Sequence, residues 1–305
     1  MNKPNTQGPI ARRVLENLRR QMRLKLTDLA AFRVGQEYAE ALQKSVTPKD
    51  QLAETHPAHA PYVHAQNQMS IMAEQLLQLP EMESFVKRIS TAEEEYMPSW
   101  PPMSPISTSY FVCWSTFDLP IGACRETVGT VTIAVAQKCG SDPRLIGLMQ
   151  RLQESRMGIH QVEGQDGVRV RLRDLATDQR CAAICQSGHV GRAGELWYAR
   201  VLPPPAPGAD HVVLTSPYVL IAPDLKAWTA YFNRVAANTT GAPRQNALEQ
   251  HIKWGASARY WPEFVFEAYS DHNAGAIYLH GLPDMPHTRP HSRAFRPSGD
   301  RLHDG

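Results

Sequence analysis

Apolar and polar residues alternate most regularly in the middle of the chain, between residues 168 and 221. From Val168 the sequence reads VRVRLR, so Val168, Val170 and Leu172 are expected to face a core while the arginines face the other way. Three further strands are predicted where short apolar runs end at turn residues: 180–186, 195–202 and 211–215. Turns that recur about every 8–12 residues predict a small antiparallel sheet or barrel, around which the fold is organised.

The first third of the chain has the period of helices instead. Its first apolar stripe starts near Ala11 and recurs every three or four residues, which predicts a helix that runs to about Gln43. A second helical pattern spans 62–89, and Pro80 within it is expected to end one helix and start another. We therefore predict that residues 1–95 form a helical region.

Proline-rich segments and a polar tail divide the rest of the chain. Residues 96–107, YMPSWPPMSPIS, contain four prolines and are predicted to form a connector. The predicted core domain follows over 108–282 and contains the β-subdomain 168–221. Residues 283–305 are rich in Pro, Arg and His and poor in large apolar side chains, so we expect them to be disordered or laid on the surface.

The core domain is predicted to mix helices with strands. Residues 109–117, SYFVCWSTF, favour a buried strand, with a helix as the alternative. Helices are predicted over 143–154, 225–236 and 247–254. Residues 126–137 have the β-branched content of a strand but the length and alanine content of a helix, and the helix is favoured because Gly140 and the following Ser141–Pro143 form a C-cap and a new start. Residues 261–269 and 276–279 are expected to add a strand or a docked helix. The predicted fold class is α+β, with a helical N-terminal third, a small antiparallel β-sheet or barrel in the middle and a helical or mixed C-terminal part.

Composition is that of a folded chain without a dominant charge. Of the 305 residues, 42% are hydrophobic and 20% are charged, which is close to the usual globular balance. The net charge of +2 comes from 32 basic and 30 acidic residues, so the chain is neither histone-like nor an acidic tail. No apolar run approaches the roughly 18–20 residues of a membrane span. The first residues lack an apolar signal region, so we expect a cytoplasmic protein with reduced cysteines and no membrane partner.

Basic residues are concentrated in two places. Residues 1–50 contain ten Lys or Arg against five Asp or Glu. On the first predicted helix the basic residues lie opposite the apolar stripe: Arg12, Arg13, Arg19, Arg20, Arg23 and Lys25. This side of the helix is interpreted either as a solvated face or as an electrostatic footprint for a phosphate backbone.

The second basic place is the predicted sheet, where Arg169, Arg171 and Arg173 share one side. Residues 168–200 hold six arginines against three acids. Cross-strand pairing with those acids is expected to neutralise half of this charge: Asp174, Asp178 and Glu195. The arginine side is either a binding surface, to which Arg192 is added from the following loop, or an ordinary charged sheet face.

No short motif in the chain fixes a reaction, since a P-loop, a GxGxxG, an HExxH, a CxxC and a GxSxG are all missing from it. A dispersed acid–base site is the catalytic alternative, drawn from His189, Glu195 and Asp174, with His160 as a further candidate. His189 lies in the glycine-rich loop SGHVGRAG, which is either an anion nest or a hairpin loop whose glycines satisfy turn dihedrals.

A dense aromatic and cationic group, WGASARYW, provides the last candidate site. Trp254, Arg259 and Trp261 would stack bases or a planar ligand, or would form a core or docking cluster. No metal site is predicted, because prolines interrupt the histidine clusters and Cys181 and Cys185 lack the spacing of a zinc pair. No cofactor is predicted.

The segments SRMG, LRDL, GELW, RVLPPP and TSPYVL, between Ser155 and Leu220, resemble those of bacterial proteins to which no activity is assigned. The resemblance implies no function and no site residue. Our first hypothesis is a non-catalytic binding or regulatory protein of the bacterial cytosol, with an anionic partner such as nucleic acid, or a protein partner. The alternatives are an enzyme with the dispersed site and a structural subunit of a complex.

Overall fold

In a computed structural model, the chain is described over residues 7–23, 34, 37–38, 40–42, 44, 46–96, 105–185, 187, 189, 191–222, 224–254, 269–273 and 276–280. Its contacts divide it into two compact units, each described here by itself. The first comprises Met1–Ala92, Cys113–Ser155 and Pro203–Ala209. The second comprises Glu93–Val112, Arg156–Leu202 and Asp210–Gly305.

Helices account for most of the described chain before residue 155. In chain order these are α1 (Pro9–Arg23), α2 (Lys49–Glu54), α3 (Ala60–Leu76), the 3-10 turn Pro80–Met82, α4 (Glu83–Tyr96), α5 (Pro105–Phe117), α6 (Val128–Lys138) and α7 (Pro143–Glu154). Pro80 begins the 3-10 turn between α3 and α4, which confirms its predicted role as a break between two helices. Residues 24–33 of the long first helix that we predicted lie outside the described residues.

The core of the first unit is built from the apolar stripes of these helices. Its buried members come from α1, α3, the 3-10 turn, α4 and α6: Ile10, Ala11, Val14, Leu15, Ala73, Leu76, Met82, Phe85, Val128, Val131, Ala134 and Val135. The stripe of α1 therefore packs as its period of three to four residues predicted.

Two predicted helices start where their capping residues place them. Thr127 and Thr130 form a reciprocal capping box at the start of α6. The carboxylate of Asp142 accepts a hydrogen bond from the Arg144 backbone N–H at 2.6 Å, and Pro143 occupies the first position of α7. The helices predicted over 126–137 and 143–154 are confirmed.

The strand favoured over 109–117 is wrong, because these residues belong to helix α5. Most of its large side chains are buried: Tyr110, Phe111, Cys113, Trp114 and Phe117. A helix that is buried around most of its circumference has no clear amphipathic period, so its sequence is difficult to distinguish from that of a buried strand.

The second unit contains a mixed sheet. Its strands are β1 (Met157–Asp166), β2 (Arg169–Asp174), β3 (Arg180–Cys185), β4 (Leu196–Leu202), β5 (His211–Val213), β6 (Tyr218–Ala222), β7 (Tyr269–Asn273) and β8 (Ala276–His280). They follow the order β1-β2-β3-β5-β4-β6-β8-β7, and β1 also pairs with β4. That extra pairing closes the first five strands into a barrel, from which β6, β8 and β7 extend.

The α+β class with a small barrel is confirmed, but two details of the predicted sheet are wrong. The pairs β3–β5 and β6–β8 are parallel, so the sheet is mixed rather than antiparallel. Val168 is 50% exposed and precedes β2, whereas Val170 and Leu172 are buried in the barrel. Gly167, with φ of +58°, forms the turn before Val168, which explains why the alternation ends one residue early.

The barrel interior is filled by alternate residues of its strands. These are mostly small or branched side chains around one tryptophan: Val162, Val170, Leu172, Ala183, Cys185, Trp197, Ala199 and Val213. The chain leaves the barrel after Leu202, where Pro203–Pro205 follow, as expected for residues that cannot donate to a ladder. The hydroxyl of Tyr62 donates to the Pro203 carbonyl at 2.7 Å, and Arg151 Nη1 donates to the carbonyls of Pro204 and Pro205 at 3.0 Å.

Two helices follow the barrel, α8 (Leu225–Val235) and α9 (Gly241–Trp254). Both were predicted, although α9 starts six residues before the predicted Ala247. Residues 261–268 lie outside the described part of the chain. At residue 269 and over 276–279, where a strand or a docked helix was expected, the chain forms strands β7 and β8. Among the described helices, none has the length and the hydropathy that crossing a bilayer requires.

Candidate anion-binding helix and polar clusters of the barrel

Helix α1 presents an exposed face made almost entirely of arginine. Arg12, Arg13, Arg19 and Arg20 are all exposed, and Glu16 is the one acid among them. None of the four arginines forms an ion pair with another described residue. Four positive charges on this face are thus left without a partner in the part of the chain that the structure describes.

The helical repeat explains why these arginines lie together. The pairs Arg12–Arg13 and Arg19–Arg20 are seven residues apart, which is two helical turns or about 10.5 Å along the axis. The opposite face is buried in the core of the first unit, where Val14 is 0% and Leu15 is 3% exposed. The apolar side of α1 is therefore already occupied, and its basic side faces solvent.

The N-terminus of α1 is fixed by a carboxylate from a distant part of the chain. Glu126 accepts hydrogen bonds from the backbone N–H groups of Ile10 at 2.9 Å and of Ala11 at 2.8 Å. A negative charge at this position satisfies the unpaired N–H groups and complements the helix dipole. A Cβ at Gly8 would lie 2.1 Å from Cδ of Glu126, so only glycine lets the chain pass this close to the carboxylate.

A second contact fixes the middle of the helix. Asn17 Nδ2 donates to Oε1 of Glu81 at 2.8 Å, and Glu81 belongs to the 3-10 turn that packs beside α1. Together with the buried stripe, these contacts hold α1 in one orientation relative to its unit. Its arginines therefore form a preorganised surface rather than a free basic segment.

The arginine side of β2 is different, because most of its charge is neutralised. Ion pairs join Arg169 to Asp210 at 2.6 Å, Arg173 to Asp178 at 2.5 Å and Arg180 to Glu163 at 3.0 Å. Of the three acids that we expected to neutralise this side, Asp178 does so, while Asp174 and Glu195 have other partners. Exposed pairs of this kind contribute little stability, but they reduce the field that a ligand would meet.

Two arginines of this region make no ion pair within the described chain, Arg171 and Arg192. The Arg171 guanidinium lies against Gly164, where a Cβ would come within 2.1 Å of Nη2. Arg192 is exposed in the loop before β4. Two such arginines are fewer than the four that lie together on α1.

His189 and Glu195 are brought together at the glycine-rich loop. His189 Nε2 lies 3.2 Å from Oε2 of Glu195, and the indole Nε1 of Trp197 donates to the same oxygen at 3.0 Å. Trp197 is completely buried in the barrel, and its N–H needs an acceptor. Glu195 therefore satisfies a core tryptophan and also orients His189.

Asp174 belongs to a separate buried cluster inside the barrel. Its Oδ2 lies 3.1 Å from Nη2 of Arg156, and its Oδ1 accepts from the backbone N–H groups of Ala176 and Thr177. Burial disfavours the carboxylate, but Arg156 and these N–H groups outweigh it and hold the pKa of Asp174 below its usual value. Helix α9 contributes Glu249, which binds the same Arg156 guanidinium through both carboxylate oxygens.

His160 lies in this cluster, with Nδ1 3.8 Å from Oδ2 of Asp174. Burial lowers the pKa of His160, because the attraction of Asp174 does not compensate for the loss of hydration. A Cβ at Gly158 would lie 2.7 Å from both Arg156 Nη1 and His160 Nε2, so the absence of a side chain there allows the cluster to close.

The four acid–base candidates thus divide into two pairs, His189 with Glu195 and Asp174 with His160. Sequence reasoning missed Arg156 and Glu249, which complete the second cluster from positions 93 residues apart. Nothing local in the sequence indicates that pairing.

The other candidate residues provide weaker support for a functional site. Trp254 is described, with Nζ of Lys253 5.2 Å from its ring centroid, but Arg259 and Trp261 lie outside the described residues. Burial raises the pKa of Cys181 to about 11, so its thiol is a poor nucleophile. In the described ranges, no three His, Cys, Asp or Glu side chains are grouped so that they could hold a metal ion.

One cavity of about 320 Å³ lies beside α3 in the first unit. Its walls combine apolar and amide side chains with a single ionisable group, Glu74: Leu42, Val46, Thr47, Val63, Gln66, Asn67, Ser70, Ile71 and Glu74. A cavity with one acid and no base does not suit an anion, so the arginines of α1 are the better anion site in this unit.

Comparison of the chain with family models, curated proteins and solved structures found no match.

Proposed function

We propose that this protein is a non-catalytic binding protein that engages an extended anionic partner through the exposed arginine face of α1. The observation that carries the proposal is the combination of four exposed arginines, which form no ion pair with a described residue, with a buried opposite face. A solvated helix face that only keeps a protein soluble usually mixes both signs of charge. This face has four positive charges around one negative charge, Glu16.

The type of basic residue supports an anionic ligand with paired oxygen atoms, such as a phosphate or a carboxylate. Every basic residue of α1 is an arginine, and the helix contains no lysine. The guanidinium group binds phosphate and carboxylate through two parallel hydrogen bonds, and it is more weakly hydrated than an ammonium group. Exposed arginines that lack an internal partner can therefore exchange water for an anion at small cost.

The anchoring of α1 supports a surface for binding rather than a tail that gathers ions. Glu126 and Glu81 fix the helix at its start and its middle, so the backbone that carries the arginines is in place before the partner arrives. Preorganised charges lose less side-chain and backbone entropy on binding than charges on a disordered segment. The paired arginines of β2 have no comparable excess of charge.

The experiment is elution of the full-length protein from a heparin resin in a salt gradient. A variant that neutralises Arg12, Arg13, Arg19 and Arg20 to glutamine is expected to elute at much lower salt than the unmodified protein. The matched control removes four positive charges from four other helices, at exposed sites: Arg88→Gln, Lys138→Gln, Arg144→Gln and Lys226→Gln.

Both variants have the same net charge, so a difference between them reports the position of the charges. Later elution of the control than of the α1 variant supports the proposal. Equal elution of the two variants would contradict it, because the protein would then bind through its net charge alone.

A further inference from the structure

We infer that the anionic partner of α1 is double-stranded nucleic acid, held through the phosphates of the duplex. This inference rests on the proposed function, since it names the partner of the same arginine face. Three features of α1 carry it: the residue types that it exposes, the density of its charges and the burial of its apolar side.

The exposed face of α1 offers charge but no stacking surface. The helix reads PIARRVLENLRRQMR and contains no Phe, Tyr, Trp or His. Proteins that bind single strands combine a basic groove with aromatic side chains, and each stacked base contributes about 1–3 kcal/mol. Without aromatic residues, this face could stack unpaired bases only on its guanidinium groups, so a single strand would gain less from its bases than it does in such proteins.

The charge density of α1 suits a duplex better than a single strand. From Arg12 to Arg20 the helix rises about 12 Å and carries four guanidinium groups. A DNA duplex presents about one charge per 1.7 Å of its axis, or about seven phosphates over the same length. A duplex therefore holds more phosphates in fixed positions over this length than α1 holds arginines, whereas a flexible single strand must first be ordered along the rigid helix.

The buried apolar side argues against a lipid bilayer as the partner. A helix that binds a membrane surface inserts its apolar face below the headgroups. In α1 that face is used by the protein, since Ile10, Ala11, Val14 and Leu15 are each no more than 5% exposed. Only the arginines would touch the headgroups, which leaves the weaker electrostatic part of membrane binding.

The inference is tested by fluorescence anisotropy with the full-length protein at 50 mM and 200 mM salt. The probes are a 20-base-pair DNA duplex, an RNA duplex of the same sequence and a 20-nucleotide oligo-dT strand. Labelled heparin, labelled polyglutamate and labelled vesicles of mixed phosphatidylserine and phosphatidylcholine are titrated as further probes. We expect a duplex to bind about tenfold more tightly than the single strand at 50 mM salt. Comparison of the affinities for the two duplexes shows whether the partner is DNA, RNA or either.

The Arg12→Gln, Arg13→Gln, Arg19→Gln, Arg20→Gln variant should lose at least tenfold in duplex affinity, and the four-helix control should lose less. Thermal melting by circular dichroism checks that both variants fold. Glu16→Gln adds a variant that should bind the duplex more tightly, which a misfolded protein would not do.

The possible failures are distinguishable. Equal or tighter binding of oligo-dT overturns the duplex inference and leaves the proposed function standing. The same is true if heparin, polyglutamate or vesicles bind and neither duplex does. If none of the probes binds at 50 mM salt, the proposed function fails and the inference fails with it.

Discussion

The carboxylate of Glu126 accepts a hydrogen bond from the backbone N–H of Ile10 at 2.9 Å, across 116 residues of sequence. The same side chain accepts a second one from Ala11, and it is only 5% exposed. This contact joins the start of the arginine helix to the turn before α6. The orientation of the proposed binding face therefore depends on a residue that belongs to a different part of the chain.

Replacement of Glu126 by alanine is expected to destabilise the first unit by about 2–4 kcal/mol, because two buried N–H groups lose a charged acceptor. The measurement is hydrogen exchange of the α1 amides together with urea unfolding. Glu94→Ala, at an exposed position on α4, is the control and should change neither. Unchanged protection of α1 in Glu126→Ala would show that this contact does not anchor the helix.

Replacement of Glu16 by glutamine is expected to strengthen anion binding by about 2–5-fold, which corresponds to about 0.5–1 kcal/mol for an exposed, screened charge. Glu16 is the one acid on the arginine face, so its removal lowers the repulsion toward a polyanion. Anisotropy with the DNA duplex measures the change. Glu94→Gln alters the net charge equally from another helix, and an identical gain for both variants would remove the claim that α1 is the site.

The buried cluster of the barrel predicts a large loss of stability on removal of its cation. Arg156→Met leaves Asp174 buried without its guanidinium partner, and we expect a loss of about 3–5 kcal/mol. The double variant Arg156→Met with Asp174→Asn should recover part of this loss, because the buried side chain at 174 is then neutral and Glu249, at 43% exposure, stays hydrated. Urea unfolding gives both values. If the double variant is no more stable than Arg156→Met alone, the unpaired carboxylate of Asp174 is not the cause of the large loss of stability.

His160 predicts a specific pH dependence. Burial lowers its pKa in the folded barrel, where Asp174, Arg156 and Glu249 are the charged groups around it. The unfolded chain then binds more protons than the folded chain below about pH 6.5. The free energy of unfolding should consequently fall as the pH is lowered from 7 to 5, by at most about 1.4 kcal/mol per pH unit from this residue.

The check is urea unfolding at pH 7, 6 and 5 for the unmodified protein and for His160→Gln. The variant should show a shallower dependence, although some dependence should remain because burial also lowers the pKa of His211. If the free energy of unfolding changes with pH in the same way in both proteins, protonation of His160 does not contribute to the pH dependence.

The parts of the fold that local patterns determine were predictable. Asp142 and Pro143 mark the start of α7, and the alternation after Val168 indicates β2, because capping and period depend on neighbours in sequence. Strand β1 was not predicted, because it contains two glycines and several polar residues and bulges between Val162 and Gly164. Its residues are specified by the strands on both sides of it rather than by their own propensity.

The candidate site was also predictable only where it depends on residues close together in sequence. The arginines of α1 were visible in the sequence, since their spacing is a local property of one helix. The sequence did not show that Arg169 and Arg173 of β2 are paired, whereas the four exposed arginines of α1 form no ion pair with a described residue. Asp210 and Glu163 reach β2 and β3 only through the folded barrel. The cluster of Arg156 with Glu249 was likewise hidden by its sequence separation.

The salt dependence of duplex binding tests the central claim most directly. If four arginines of α1 each neutralise a phosphate, the logarithm of the association constant should fall with the logarithm of the salt concentration. The expected slope is about −3.6 for the unmodified protein. The slope should approach zero when Arg12, Arg13, Arg19 and Arg20 are replaced by glutamine, and should stay near its original value in the four-helix control. Equal slopes for the two variants would contradict the account, because the contacts to phosphate would then lie elsewhere on the protein.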